Sequence, residues 1–127
     1  MENPNLLSPS TLAFVGDAVF GLLVRTRLAE VNRPSGELHK LSVEYVKASA
    51  QAKAYEIISP LLTEKEMSVF KRGRNAKTHF TPKHGELIQY RRATGFEALM
   101  GYLYVSGDVA RAKEIFELAF CREKSNT

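Results

Sequence analysis

Apolar residues recur at helical spacing along almost the whole chain. Nearly every position from Leu12 to Val24 is apolar, until Arg25 and Arg27 intervene. Ahead of that run, Ser8-Pro9 has the form of a helix start, with Ser8 as N-cap and Pro9 where a missing N–H costs nothing. Asn32-Arg33-Pro34-Ser35-Gly36 predicts a loop, with Ser35 available to cap a second helix. This second helix carries Leu38, Leu41, Tyr45, Val46, Ala48, Ala52, Tyr55 and Ile58 on one stripe and ends at Pro60. Thr63-Glu64-Lys65-Glu66 matches a capping box, opening a short helix with Met67 and Phe70 facing in and Gly73 beyond its end. Residues 73–85 lack an apolar period and contain Gly73, Pro82 and Gly85, so they predict mostly loop. Helical spacing returns from Glu86 to Val105, through Leu87, Tyr90, Phe96, Leu99 and Leu103. Gly107 breaks it, and Asp108 caps a last helix bearing Ala112, Ile115, Phe116 and Ala119. The expectation is one all-α domain over residues 1–127, of about six helices, with its core at about 8–120 and a frayed tail at 121–127.

Two of these helices share an unusual feature. Leu12–Val24 holds a single charge, Asp17, and Gly95–Val105 again holds one, Glu97. A helix apolar on all sides is normally a core helix, and an ionised carboxylate there is costly unless something compensates it. Two central helices are natural neighbours, which would bring Asp17 and Glu97 together. Two close anions raise each other's pKa unless a cation sits between them. Mg²⁺ is the expected cation, because it prefers carboxylate oxygen and keeps waters that are then available to attack a phosphodiester. The small neighbours Ala13, Gly16, Ala18, Gly95 and Ala98 predict room for backbones, metal and phosphate. The competing explanation is an ordinary ion pair from each acid to Arg25, Arg91 or Arg92, and the residues alone leave both open.

Charge adds a third element. The 127 residues have an ordinary globular composition, 44% hydrophobic and 25% charged, with a formal net charge of +4. That positive bias is local. Residues 71–92 hold seven basic side chains (Lys71, Arg72, Arg74, Lys77, Lys83, Arg91, Arg92) against Glu86 alone, a balance of +6, while the remainder is at −2. With Asn75, Thr78 and Thr81, this stretch supplies donors for phosphate and sugar oxygens, although a solvated surface loop is the commoner fate of a charge run. Cys121 is the single cysteine, which excludes an internal disulfide and a cysteine-based zinc site. His39, His79 and His84 form no zinc pattern. The polar start, with no Lys or Arg before Arg25, excludes a secretory signal, and no stretch approaches the roughly 18 apolar residues of a membrane span. A cytoplasmic protein without a membrane partner is expected.

Several blocks in order resemble a known family. Phe14-Val15-Gly16-Asp17-Ala18-Val19 is similar to the signature of the ribonuclease III catalytic domain, and Phe96-Glu97-Ala98-Leu99-Met100-Gly101 to its second block. Leu38-His39-Lys40, Arg72-Gly73-Arg74-Asn75-Ala76-Lys77, Pro82-Lys83, Tyr90-Arg91 and Thr94-Gly95 narrow the resemblance to the Mini-ribonuclease III branch, over roughly Leu12 to Phe120. The resemblance implies the all-helical ribonuclease III endonuclease fold without the double-stranded-RNA-binding domain. It also implies a homodimer whose two sites flank a valley for double-stranded RNA. Cleavage would use Mg²⁺, with Mn²⁺ as a substitute, would leave 5′-phosphate and 3′-hydroxyl ends, and would mature 23S ribosomal RNA precursors. Asp17 and Glu97 fall on the metal-binding catalytic carboxylates. Lys71, Arg72, Arg74, Asn75, Lys77 and Lys83 fall on the RNA-contacting segment, with His39, Lys40, Arg91 and Thr94 as further candidates. Full-length ribonuclease III usually has two more acids, where this chain has Ala13 and Thr94. One Mg²⁺ is therefore as plausible as two. The alternative is a non-catalytic RNA-binding or ribosome-assembly protein of the same fold.

Overall fold

A computed structural model describes residues 3–76 and 84–121. Within them lie six α-helices: α1 (Pro9–Ala29), α2 (Ser35–Val46), α3 (Ala48–Ile58), α4 (Glu64–Arg74), α5 (His84–Val105) and α6 (Val109–Phe116). Short 3₁₀ turns precede α1 and α4, and a π-helical turn at Glu117–Cys121 follows α6. No strand occurs among the described residues.

The helix starts follow their local chemistry. Ser8 accepts from Thr11 N at 3.1 Å, Asp108 accepts from Arg111 N at 3.1 Å, and the Thr63–Glu66 capping box has both of its reciprocal bonds. Four boundaries differ from expectation. Ser35 and Gly36 lie inside α2, because Glu37 N and Leu38 N both donate to Pro34 O, so Pro34 is the N-cap and the helix begins at Ser35. The long stripe from Leu38 to Ile58 is two helices rather than one: Lys47 is extended, with φ −65° and ψ 150°, and it divides α2 from α3. The apolar spacing survives that break, which is why periodicity alone reads through it. Gly73 belongs to the last turn of α4 instead of following it, and α5 begins at His84 rather than Glu86. The rest of the expected loop, 77–83, lies outside the described residues, as does the tail beyond Cys121.

α1 and α5 form the most extensive helix pair, and α4 and α3 pack on α5. The main core gathers Phe20 and Val24 of α1, Ile58 of α3, Phe70 of α4, Phe96 and Leu99 of α5, and Ile115 and Phe116 of α6. Phe20 meets Phe96 edge to face at 5.4 Å between ring centres, and Tyr55 stacks on Phe70 at 3.8 Å. Each buried side chain of this size contributes about 1.5–3 kcal/mol. Glu66 is buried but is not a lone charge. Arg111 reaches it through Nε at 2.7 Å and Nη2 at 2.9 Å, and that guanidinium holds the Glu66 carboxyl below its ordinary pKa. No helix of the described residues is long and apolar enough to cross a membrane.

Candidate active site

The site begins where two backbones touch. α1 and α5 cross at Gly16 and Gly101, so tightly that a Cβ on Gly16 would lie 1.6 Å from the carbonyl oxygen of Glu97. Asp17 follows Gly16 directly, so the crossing itself brings Asp17 and Glu97 to one place. A second close approach adds α4. A Cβ on Gly73 would lie 2.7 Å from Ala98 Cβ, and one on Gly95 would strike the Phe70 ring. The space at Gly16 and Gly95 is therefore taken by helix backbone and by Phe70, not left for metal and phosphate as the sequence suggested. Drawing α4 onto α5 in this way sets Arg74 beside Thr94.

These contacts enclose a cavity of about 300 Å³ between α1, α4 and α5. Ser10, Ala13, Phe14 and Asp17 line it from α1, and Tyr90, Arg91, Thr94 and Glu97 from α5, with Gly73, Arg74 and Ala76 at the α4 end. Both sets have helical spacing, one face of each helix. That spacing was the available signal for Ser10, Phe14 and Tyr90, which the sequence did not mark as site residues.

The two carboxylates are not equivalent. Asp17 is exposed, because α1 is open on one side rather than buried all round; Phe14 is 81% and Leu22 62% exposed on the same helix. Glu97 is half-buried, with buried Gly95, Phe96, Ala98 and Leu99 on either side of it in sequence. Burial, and after it the charge of Asp17, pushes the Glu97 carboxyl up to about 7. Gln51 Nε2 donates to Glu97 Oε2 at 3.4 Å and opposes part of that rise. Among the described residues neither acid has a salt bridge. Arg92 pairs with Glu56 at 3.0 Å and Arg25 donates to Gly21 O at 3.3 Å, so the structural ion pairs considered from sequence are not formed.

The described residues contain no group of three or more His, Cys, Asp or Glu side chains that would hold a metal ion. What the cavity offers is two carboxylates, one of them protonated well above its usual range for want of a counter-charge. That donor set suits a hard cation that keeps most of its waters, and Mg²⁺ meets the description.

The other candidates divide by position. Arg74, Arg91 and Thr94 share the cavity with the carboxylates. Lys71, Arg72 and Asn75 line a larger groove of about 860 Å³ on the α4 side, with Pro9, Thr63 and Met67. Arg72 also donates to Leu7 O at 3.3 Å, and Arg74 Nε to Asn75 Oδ1 at 3.1 Å. His39 and Lys40 are on α2 and line two separate depressions, so the structure does not bring them to the carboxylates. Lys77 and Lys83 lie outside the described residues.

The ribonuclease III domain family matches residues 10–108. The chain is similar to the Mini-ribonuclease 3 of a Thermoanaerobacter species, 53% identical over 114 residues that cover 89% of this chain and 80% of that one. It is also similar to those of Symbiobacterium thermophilum (44% identity; 94% and 92% covered) and Brevibacillus brevis (47%; 94% and 90%). Among solved structures, the X-ray structure of a protein from Fusobacterium nucleatum matches with a TM-score of 0.82 at 29% identity, over 93% of this chain and 95% of that one. The all-α fold expected from the sequence is the fold shared with that protein.

Proposed function

Because this chain belongs to the Mini-ribonuclease III family, we propose that it is a Mg²⁺-dependent endoribonuclease that cuts double-stranded RNA, with the 23S ribosomal RNA precursor as its substrate. The observation that carries this reading is the pairing of Asp17 and Glu97 in one cavity rimmed by Arg74 and Arg91. A domain that only bound RNA would gain nothing from two unpaired anions facing phosphate.

In this reading Asp17 and Glu97 hold the ion. Bound there, Mg²⁺ supplies Lewis-acid stabilisation of the phosphate and a water of lowered pKa. The protein's own groups do the rest. Arg74 and Arg91 take the phosphate oxygens across the cavity mouth, and Thr94, whose hydroxyl donates to Tyr90 O at 2.8 Å, keeps the α5 wall fixed. Water attacks phosphorus and the bond to the 3′ oxygen breaks, leaving 5′-phosphate and 3′-hydroxyl ends. Lys71, Arg72 and Asn75 continue the basic track along the duplex, and Lys77 and Lys83 are assigned to RNA contact by the family resemblance alone. A-form RNA presents phosphates and 2′-hydroxyls over a shallow minor groove, so recognition rests mainly on shape.

A second copy of the chain completes the reading. Phe14, Ala18 and Leu22 form an exposed stripe on α1 directly beside Asp17. A homodimer closed over that stripe places two sites along one duplex. The test is cleavage of a structured RNA with and without Mg²⁺. Asp17→Asn and Glu97→Gln are expected to abolish cutting while RNA binding persists. Equal cleavage by those variants overturns the mechanism, and duplex binding without cleavage in either Mg²⁺ or Mn²⁺ supports the non-catalytic alternative.

A further inference from the structure

Gln51 of α3 is only 2% exposed, yet it is a long polar side chain with the small residues Ala48, Ala50, Ala52 and Ala54 around it in sequence. Its Nε2 donates to Val46 O at 2.8 Å and to Glu97 Oε2 at 3.4 Å. Val46 O can only accept, so the nitrogen end must face it, and Glu97 lies on that same end. Oε1 is left buried with no hydrogen-bond partner among the described residues. An unpaired buried acceptor costs about 1–3 kcal/mol, and an apolar side chain of equal length would avoid that cost. The two other buried polar residues have plain structural explanations: Ser42 donates to His39 O at 2.7 Å, and Glu66 holds Arg111 and its own capping box. Gln51 is the buried polar residue that reaches a carboxylate of the cavity.

We propose that Gln51 is a positioning residue for the reaction: its amide fixes the Glu97 carboxylate in the orientation in which Glu97 and Asp17 together take a divalent cation. This rests on the two-carboxylate reading of the site. Gln51 does not line the cavity and acts only through Glu97. One N–H holds the last carbonyl of α2, where the chain turns at Lys47, and the other holds Glu97. The joint between α2 and α3 thereby becomes a fixed support for the site. A carboxylate restrained in this way loses less rotational freedom on binding an ion, and outer groups of this kind typically change metal affinity about 10–100-fold.

The test compares the parent protein with Gln51→Leu, Gln51→Met and Asp17→Asn. Three quantities are measured: the thermal midpoint, the binding of Mn²⁺ by the electron paramagnetic resonance signal of the free ion, and the Mn²⁺ dependence of duplex RNA cleavage. Both Gln51 variants are expected to bind Mn²⁺ about tenfold more weakly. They should need correspondingly more Mn²⁺ for half-maximal cutting, with kcat recovering once Mn²⁺ saturates. If both bind Mn²⁺ as the parent does, or lose cleavage only in proportion to lost folded protein, Gln51 is a structural cap and the assignment falls alone. If the parent and Asp17→Asn bind Mn²⁺ alike, the two-carboxylate site falls and the positioning role with it.

Discussion

Gly16 and Gly101 face each other across the α1–α5 crossing, and the opposite helix's backbone leaves neither room for a side chain. A Cβ on Gly101 would sit 1.9 Å from Leu12 O, and one on Gly16 would also lie 2.9 Å from Gly101 N. The obstacle in both cases is backbone, which cannot move aside as the end of a side chain can. Gly16→Ala and Gly101→Ala are each expected to destabilise the fold by about 3 kcal/mol, roughly 10 °C in thermal midpoint at this chain length. They should also separate Asp17 from Glu97. Thermal denaturation, with Mn²⁺ binding measured well below the midpoint, checks both effects.

The raised Glu97 carboxyl predicts how stability varies with pH. In the unfolded chain this group releases its proton near its ordinary value of 4.5, and in the folded chain at about 7. Between those values the folded state holds more protons, so the free energy of unfolding falls as pH rises through the window. Denaturant titrations from pH 4.5 to 7.5, without divalent ions, should show this slope. Glu97→Gln should flatten it and make the metal-free protein more stable above pH 7. Mg²⁺ at millimolar concentration should flatten it in the parent, and the Mg²⁺ required for half-maximal cleavage should rise as pH drops below 7.

Much of this arrangement was legible in the sequence. Asp17 and Glu97 stand out because each is the single charge in an apolar stretch of its helix, and the caps at Ser8, Thr63 and Asp108 are local chemistry that needs no tertiary information. The break at Lys47 was not legible, because α2 and α3 keep the same apolar spacing on either side of it. The openness of α1 was hidden for a related reason: Phe14 and Leu22 are as apolar as Phe20 and Val24, and only packing shows which pair is covered. Gln51 carried no signal at all, since its role depends on two acceptors that arrive from α2 and α5.

Salt should report the basic track directly. Each phosphate contact adds about one unit to the slope of log affinity against log salt. Arg74→Ala is expected to weaken duplex binding uniformly across RNA sequences and to reduce that slope by about 1. Arg92→Ala should leave the slope unchanged, because Arg92 is held by Glu56. Fluorescence anisotropy of a labelled duplex in the metal-free protein, at several KCl concentrations, separates the two.

The exposed stripe on α1 makes a prediction about assembly. Leu22, 62% exposed, is one turn beyond Ala18 and two beyond Phe14, and a charge there is tolerated by a lone chain but not by a closed apolar contact. Leu22→Glu is expected to keep full helicity by circular dichroism while sedimenting as a monomer. Duplex affinity should fall about tenfold or more, because the second set of phosphate contacts is no longer tethered. A parent protein that already sediments as a monomer at micromolar concentration would rule this interface out.

The crossing at Gly16 and Gly101 also decides when in the making of the chain the two carboxylates can meet. Its partners come from distant parts of the chain, Asp17 near the beginning and Glu97 in the last long helix. A nascent chain that has reached only the end of α4 carries one carboxylate of the pair, Asp17. No partial product that stops before α5 can assemble the pair, and neither can a fragment lacking α5. Whatever chemistry the pair performs therefore waits on the making and docking of α5.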